Sequence, residues 1–189
     1  MGLSIISNNC SGVRLMQDLK IRYDSPTVAL QILPEEYTKF CNNLEFYLSQ
    51  EIVEYRDFND EHKAYLINMY GNLENITFPV GLCCDIILCF QHEESFETAK
   101  AKWDRRKYRV DYNNLAYIFC LDYDRYAKEA FDFATSELKN KFIFTRDFDI
   151  DAPHFRYSVP NNRCFLDKDR EDHYYFEGEF RRESLWKNS

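Results

Sequence analysis

Leu115-Ala116-Tyr117-Ile118-Phe119-Cys120-Leu121 decides the fold. The run does not alternate between apolar and polar residues, so a strand built from it must be covered on both faces, as the central strand of an α/β sheet is. Four more short apolar runs read as strands, at residues 3–6, 27–33, 85–90 and 141–145. Segments of helical period lie between them. Pro34-Glu35-Glu36 suits a first helical turn, because proline tolerates an early helical position and acids favour the positive helix end. Tyr37, Phe40, Cys41, Leu44 and Leu48 then share one face. Phe96, Ala99, Trp103 and Val110 form a second stripe, and Tyr126, Ala127, Ala130, Phe133, Ala134 and Leu138 a third. Strands alternating with amphipathic helices predict a three-layer α/β/α domain with a mainly parallel or mixed sheet over residues 1–146. Residues 147–189, rich in charge and aromatics and marked by Pro153 and Pro160, read as an irregular extension docked on that core, with a short helix near Trp186. Residues 57–78 are polar and read as an insertion or lid.

Composition narrows the function classes. The 189 residues carry 32 acidic and 24 basic side chains, a formal charge of -8, which disfavours a broad nucleic-acid footprint. Mean hydropathy is -0.57, and no apolar run approaches the roughly 18 residues of a membrane-spanning helix. The first residues have no cationic segment of the secretory kind. Seven cysteines, odd in number and without framework spacing, fit a reducing cytoplasm. A continuous strand would place Cys84 opposite Cys83 and Cys89, a poor start for a zinc site.

Ligands of parallel α/β sheets bind beyond the carboxyl ends of the strands. The first strand empties into Ser7-Asn8-Asn9-Cys10-Ser11-Gly12. Asn8, Asn9 and Ser11 suit a sugar hydroxyl, a phosphate or an oxyanion, and they equally suit helix capping. Cys10, near a helix amino terminus, is a candidate nucleophile. His92, just past the third strand, reads either as a base reaching the same edge or as a solvated loop residue. Asp122 and Asp124, at i and i+2 past the central strand, are candidate ligands for Mg²⁺ or Mn²⁺ against a diphosphate, and Asp is also an ordinary cap. Residues 100–109 concentrate six cations in an acidic chain. Of these, Arg106 falls at the margin of the apolar stripe and needs a partner: Asp85, Asp122 or a ligand phosphate.

Several blocks in fixed order resemble one family: Ser7-Asn8-Asn9-Cys10; Ser25-Pro26; Phe78-Pro79-Val80-Gly81 leading to Asp85-Ile86; and Trp103-Asp104-Arg105-Arg106 with Asn113-Asn114-Leu115. The resemblance is to the domain of unknown function nineteen-nineteen, generally described as exopolysaccharide biosynthesis proteins. It runs from Leu3 to about Arg146, with a looser echo toward Trp186. It implies an α/β fold and a place beside glycosyltransferases in making bacterial capsule or exopolysaccharide, and it supplies no catalytic residues. Ser11-Gly12 stands where the family commonly has a glycine pair, and Ile87 and Cys89 where it often has acidic and histidine side chains.

The leading expectation is a transferase of surface-polysaccharide assembly, acting on a sugar nucleotide or sugar-bearing acceptor. In it Asn8, Asn9, Ser11 and Arg106 bind substrate, His92 moves protons, and Asp122 and Asp124 hold a metal. The alternatives are an acyltransferase or esterase with Cys10 as nucleophile, and a non-catalytic partner of a glycosyltransferase.

Overall fold

The computed structural model describes residues 2–20 and 22–157. In chain order the elements are β1 (Ser4–Ser7), α1 (Ser11–Leu19), β2 (Gln31–Ile32), α2 (Pro34–Asn42), α3 (Leu44–Ser49), β3 (Val53–Glu54), α4 (Asp60–Tyr70), β4 (Val80–Cys83), β5 (Ile86–Cys89), α5 (Phe96–Lys107), β6 (Leu115–Leu121), α6 (Ala127–Thr135), β7 (Lys141–Arg146) and β8 (Phe155–Tyr157). A parallel sheet runs in the order β1-β6-β7-β8 and an antiparallel one in the order β2-β5-β4-β3. The Ile32 N–H donates to the Asn8 carbonyl at 2.8 Å and joins the two sheets edge to edge.

Helices cover both faces, giving three layers. β6 shows why its sequence does not alternate. Tyr117, Phe119 and Leu121 enter one core, which they share with Tyr37 and Phe40 of α2, Trp103 of α5 and Phe133 of α6. Ala116, Ile118 and Cys120 enter the core on the other face, with Ile5 of β1 and Met16 of α1. Each large apolar side chain buried there contributes about 1.5–3 kcal/mol. β5 is likewise shared: Ile86 and Leu88 join the first core, while Ile87 and Cys89 meet Leu66 of α4.

Several expectations are corrected. Residues 57–78 form no lid: α4 and the 3-10 turn Leu73–Asn75 are the layer over β4 and β5. Their sequence reads as polar because few of their side chains are fully buried, His62 and Leu66 among them. The strand expected over 27–33 shrinks to Gln31–Ile32. Ala29 has a φ of 64°, and Thr27 is held in a turn in which its Oγ1 accepts the Ser7 N–H at 3.1 Å and lies 2.8 Å from Ser25 Oγ. Val110 lies past the end of α5. Cys83 and Cys89 occupy opposite faces, because Cys84, at a φ of 56°, turns the chain back into a hairpin.

Of the extension, residues 147–157 are described. Phe148 packs into the first core, and β8 extends the sheet beside β7. The helix expected near Trp186 falls outside the described residues. Among those residues, no helix is long and apolar enough to cross a membrane.

Candidate functional site

The helix after β1 and the helix after β6 pack on opposite faces of the parallel sheet: α1 belongs with Met16 to one core and α6 with Phe133 to the other. β1 and β6 are neighbours, so their carboxyl ends form the topological switch point where such sheets open a crevice. A cleft of about 190 Å³ lies there, lined by Asn9, Cys10, Ser11, Gln91, Cys120, Asp122 and Arg146.

The loop from β1 to α1 is pinned by its own amides. Asn8 is buried, and its side chain grips both backbone groups of one β6 residue: Oδ1 accepts the Cys120 N–H at 2.9 Å and Nδ2 donates to the Cys120 carbonyl at 3.0 Å. Asn9 Nδ2 donates to the same carbonyl at 3.1 Å, while its Oδ1 accepts the Ser11 N–H at 3.0 Å and caps the start of α1. Asn8 thus spends its side chain on holding the loop. Asn9 and Ser11 hold it too and also line the cleft.

These constraints set Cys10 at the amino-terminal cap of α1, in an ordinary right-handed helical conformation (φ -64°, ψ -7°). Its Sγ stands 3.1 Å from His92 Nε2. His92 arrives from the turn after β5, on the other sheet, 82 residues away. Two candidate catalytic residues drawn from separate strand ends are therefore in hydrogen-bond contact. Among the described residues no hydrogen bond reaches His92 Nδ1, so the arrangement is a dyad without a third, orienting group. A thiol in contact with an imidazole and aligned with a helix amino terminus is in the setting that favours thiolate.

The remaining candidates separate. Asp122 lines the cleft, with its Oδ1 3.6 Å from Arg146 Nε. Asp124 is exposed at the start of the 3-10 turn Asp124–Tyr126 and does not line the cleft. Among the described residues no three His, Cys, Asp or Glu side chains converge as metal ligands, and an arginine beside Asp122 fits a divalent cation poorly. Arg106 also lies off the cleft. Its Nη1 donates to the Val28 carbonyl at 3.1 Å, and burial, followed by the charge of Arg105, lowers its pKa. The carboxylate partners expected for it are engaged elsewhere: Asp85 with Lys39 and Tyr47, and Asp122 with Arg146.

Three cleft residues escaped the sequence reading: Gln91, Arg146 and Cys120, whose backbone holds the Asn8 and Asn9 side chains. Gln91 immediately precedes His92, and its Nε2 donates to the Tyr70 hydroxyl at 2.9 Å. Arg146 ends β7, and the strand-end argument applied to β6 would have found it on β7 as well.

The blocks that carry the resemblance now have physical explanations. Ser25-Pro26 builds the turn against β1. Gly81 lies where an added Cβ would stand 3.0 Å from the Phe90 ring and 3.1 Å from that of Phe96. Trp103 fills the first core, and the Asn114 carbonyl accepts the Ser4 N–H at 2.9 Å. Of the quoted blocks, the one ending in Cys10 reaches the cleft.

The comparisons with known proteins agree in extent with the described fold. A protein of Haemophilus influenzae, itself named only as uncharacterized, is 31% identical over 145 residues, covering 76% of this chain and 62% of that protein; the chain spans less than two thirds of that relative's length. Residues 1–156 match a family profile that begins before β1 and ends within β8, and the chain belongs to the family described as Domain of unknown function (DUF1919).

Proposed function

We propose that the chain is a cysteine-dependent acyltransferase or hydrolase, with Cys10 as nucleophile and His92 as its base. The observation that carries this reading is the 3.1 Å separation of Cys10 Sγ and His92 Nε2 at the mouth of the switch-point cleft. His92 Nε2 takes the thiol proton, and the thiolate attacks the carbonyl carbon of an acyl donor. The leaving group departs with the proton that His92 returns, and a thioester remains on Cys10. A hydroxyl then gives its proton to His92 and attacks the thioester, which releases an ester, or an acid if the hydroxyl is water's, and restores the thiol. No step requires a metal. A cleft of about 190 Å³ suits a short acyl group, and Arg146 at its wall offers a cation to an anionic donor or acceptor.

The resemblance to exopolysaccharide proteins supports a sugar-bearing hydroxyl compound of a bacterial surface polysaccharide as acceptor, and a thiol nucleophile fits a reducing cytoplasm. Direct transfer from a sugar nucleotide with metal at Asp122 and Asp124 has weaker support, since Asp122 lines the cleft and Asp124 does not.

Intact-mass spectrometry after incubation with acetyl thioesters and p-nitrophenyl acetate tests the proposal. The expected result is one acetyl adduct, mapped to Cys10, absent in Cys10→Ser and formed at least tenfold more slowly in His92→Ala. An adduct that maps elsewhere, or no adduct with either donor on folded protein, would overturn it.

A further inference from the structure

We propose that the cavity between α2, α4 and the β4–β5 turn is a second binding site, which takes a small molecule through a primary ammonium group held at Glu36 Oε1 beside His62 Nε2. The cavity measures about 410 Å³, within the range of small-molecule sites, and it is separate from the Cys10 cleft. Glu36 and His62, each 5% exposed, are buried in its wall. Glu36 Oε2 accepts the Ile87 N–H at 2.9 Å, continuing the β2–β5 ladder just where the chain leaves β2 for α2. Its Oε1 receives no hydrogen bond among the described residues and stands 3.5 Å from His62 Nε2.

Two points single out this pair. A glutamine would serve the Ile87 N–H equally well, so the fold does not require an acid at position 36. On the other side, the Tyr55 hydroxyl lies 2.9 Å from His62 Nδ1 and already accepts the Asn59 N–H at 2.9 Å. Its own proton is then available to Nδ1, which leaves the ring proton on Nε2, facing Glu36. Glu36 Oε1 and His62 Nε2 thus face each other at 3.5 Å in the wall of the cavity, where Oε1 has room for a further donor.

The charge around the pair selects a cation. Glu35, Glu61 and Asp85 also line the cavity. The lysine among the lining residues, Lys39, is bound to Asp85, and Tyr65 hydrogen-bonds Glu61 at 2.8 Å. An ammonium group brings both the charge and the N–H donors that Glu36 Oε1 lacks. Burial, with Glu35 adding like charge, raises Glu36 to about 8, so an arriving ammonium displaces the carboxyl proton.

Calorimetric titration of the full chain with ethanolamine hydrochloride at fixed ionic strength, in two buffers of different ionisation heat, tests this. Choline chloride has the same charge without N–H donors. Expected are saturable ethanolamine binding, at least tenfold weaker choline binding, release of a proton at pH 7, and affinity about tenfold tighter at pH 7 than at pH 6. Glu36→Gln should lose at least tenfold in affinity together with the proton release. In the unsubstituted protein the amide resonances of Ile87 and His62 should shift on binding, a readout independent of whether the variant folds. No saturable heat, choline binding as tight as ethanolamine, unshifted Ile87 and His62 resonances, or folded Glu36→Gln binding as well as the parent would each overturn the proposal.

Discussion

Asn8 and Cys120 lie 112 residues apart, yet one side-chain amide satisfies both halves of one β6 residue: Oδ1 receives the Cys120 N–H at 2.9 Å, and Nδ2 gives to its carbonyl at 3.0 Å. The Asn8 backbone carbonyl meanwhile accepts from Ile32. This residue therefore ties the parallel sheet to the antiparallel one and closes the crevice beneath Cys10.

Removing that amide takes the Asn8 acceptor from the buried Cys120 N–H and one of two side-chain donors, Asn8 and Asn9, from its carbonyl. Asn8→Ala should lower stability by about 2–4 kcal/mol, read as a drop in urea midpoint with an unchanged m-value. Asn8→Asp should cost at least as much, because it keeps the acceptor for the N–H but turns a carboxylate oxygen toward a carbonyl. Stability within about 0.5 kcal/mol of the parent for both would show that this bridge does not hold the loop to β6.

Gly12 makes a second close contact possible. A Cβ added there would stand 2.6 Å from Ser7 Cβ, so Gly12→Ala must push the start of α1 off β1. The expected cost is about 1–3 kcal/mol, accompanied by slower alkylation of Cys10 as its helix shifts away from His92. Ser7→Gly removes the opposing atom, and the double variant should recover part of the loss; additive costs in a double-mutant cycle would argue against the clash.

Burial was legible where it left a pattern in neighbouring residues. β6 and β7 declare themselves as apolar runs, and α2 as a stripe that continues through Leu44 and Leu48 although the chain breaks at Asn43 between α2 and α3. The meeting of Cys10 and His92 followed from placing both at carboxyl strand ends. β4 was hidden because Pro79 and Gly81 look like turn residues, whereas Gly81 is there to admit two aromatic rings. α4 was hidden because, lying over β4 and β5, it buries few side chains fully, His62 and Leu66 among them. The Glu36–His62 pair and the Asp122–Arg146 contact join distant segments, and neither changes the local pattern of its own segment.

Glu36 and His62 give the protein a pH signature. Burial raises Glu36 from 4.5 to about 8, so between those values the folded protein keeps a proton that the unfolded chain has lost. That contribution is whole below pH 4.5, declines as pH rises, and is gone above 8. Burial lowers His62 below 6.5, so its effect runs the other way and is confined to the region below 6.5. From pH 6.5 to 8 Glu36 acts alone, and urea denaturation should show stability falling by up to about 1.4 kcal/mol per pH unit. Glu36→Gln should flatten that slope; an equal slope in parent and variant would assign it to other groups.

Cys84 provides an internal reference for the dyad. It is exposed at the tip of the β4–β5 hairpin, whereas Cys10 is half-buried, so access alone predicts faster labelling of Cys84. Cys41 and Cys89 are buried, and burial pushes both thiols up, Cys89 to about 12, so neither should compete in the folded protein. If the imidazole 3.1 Å away draws the proton from Cys10, iodoacetamide at pH 6 should label Cys10 faster than Cys84 despite the poorer access. His92→Ala should lower the Cys10 rate at least tenfold and leave the Cys84 rate unchanged, and because His92 is exposed the melting temperature should move by no more than a few degrees. His92→Gln, which can still hydrogen-bond the sulfur but cannot accept its proton, separates the two roles: a rate as low as that of the alanine variant assigns the effect to proton transfer. If Cys84 outruns Cys10 in the parent across pH 6 to 8, the contact is one of packing, and the nucleophile proposal falls with it.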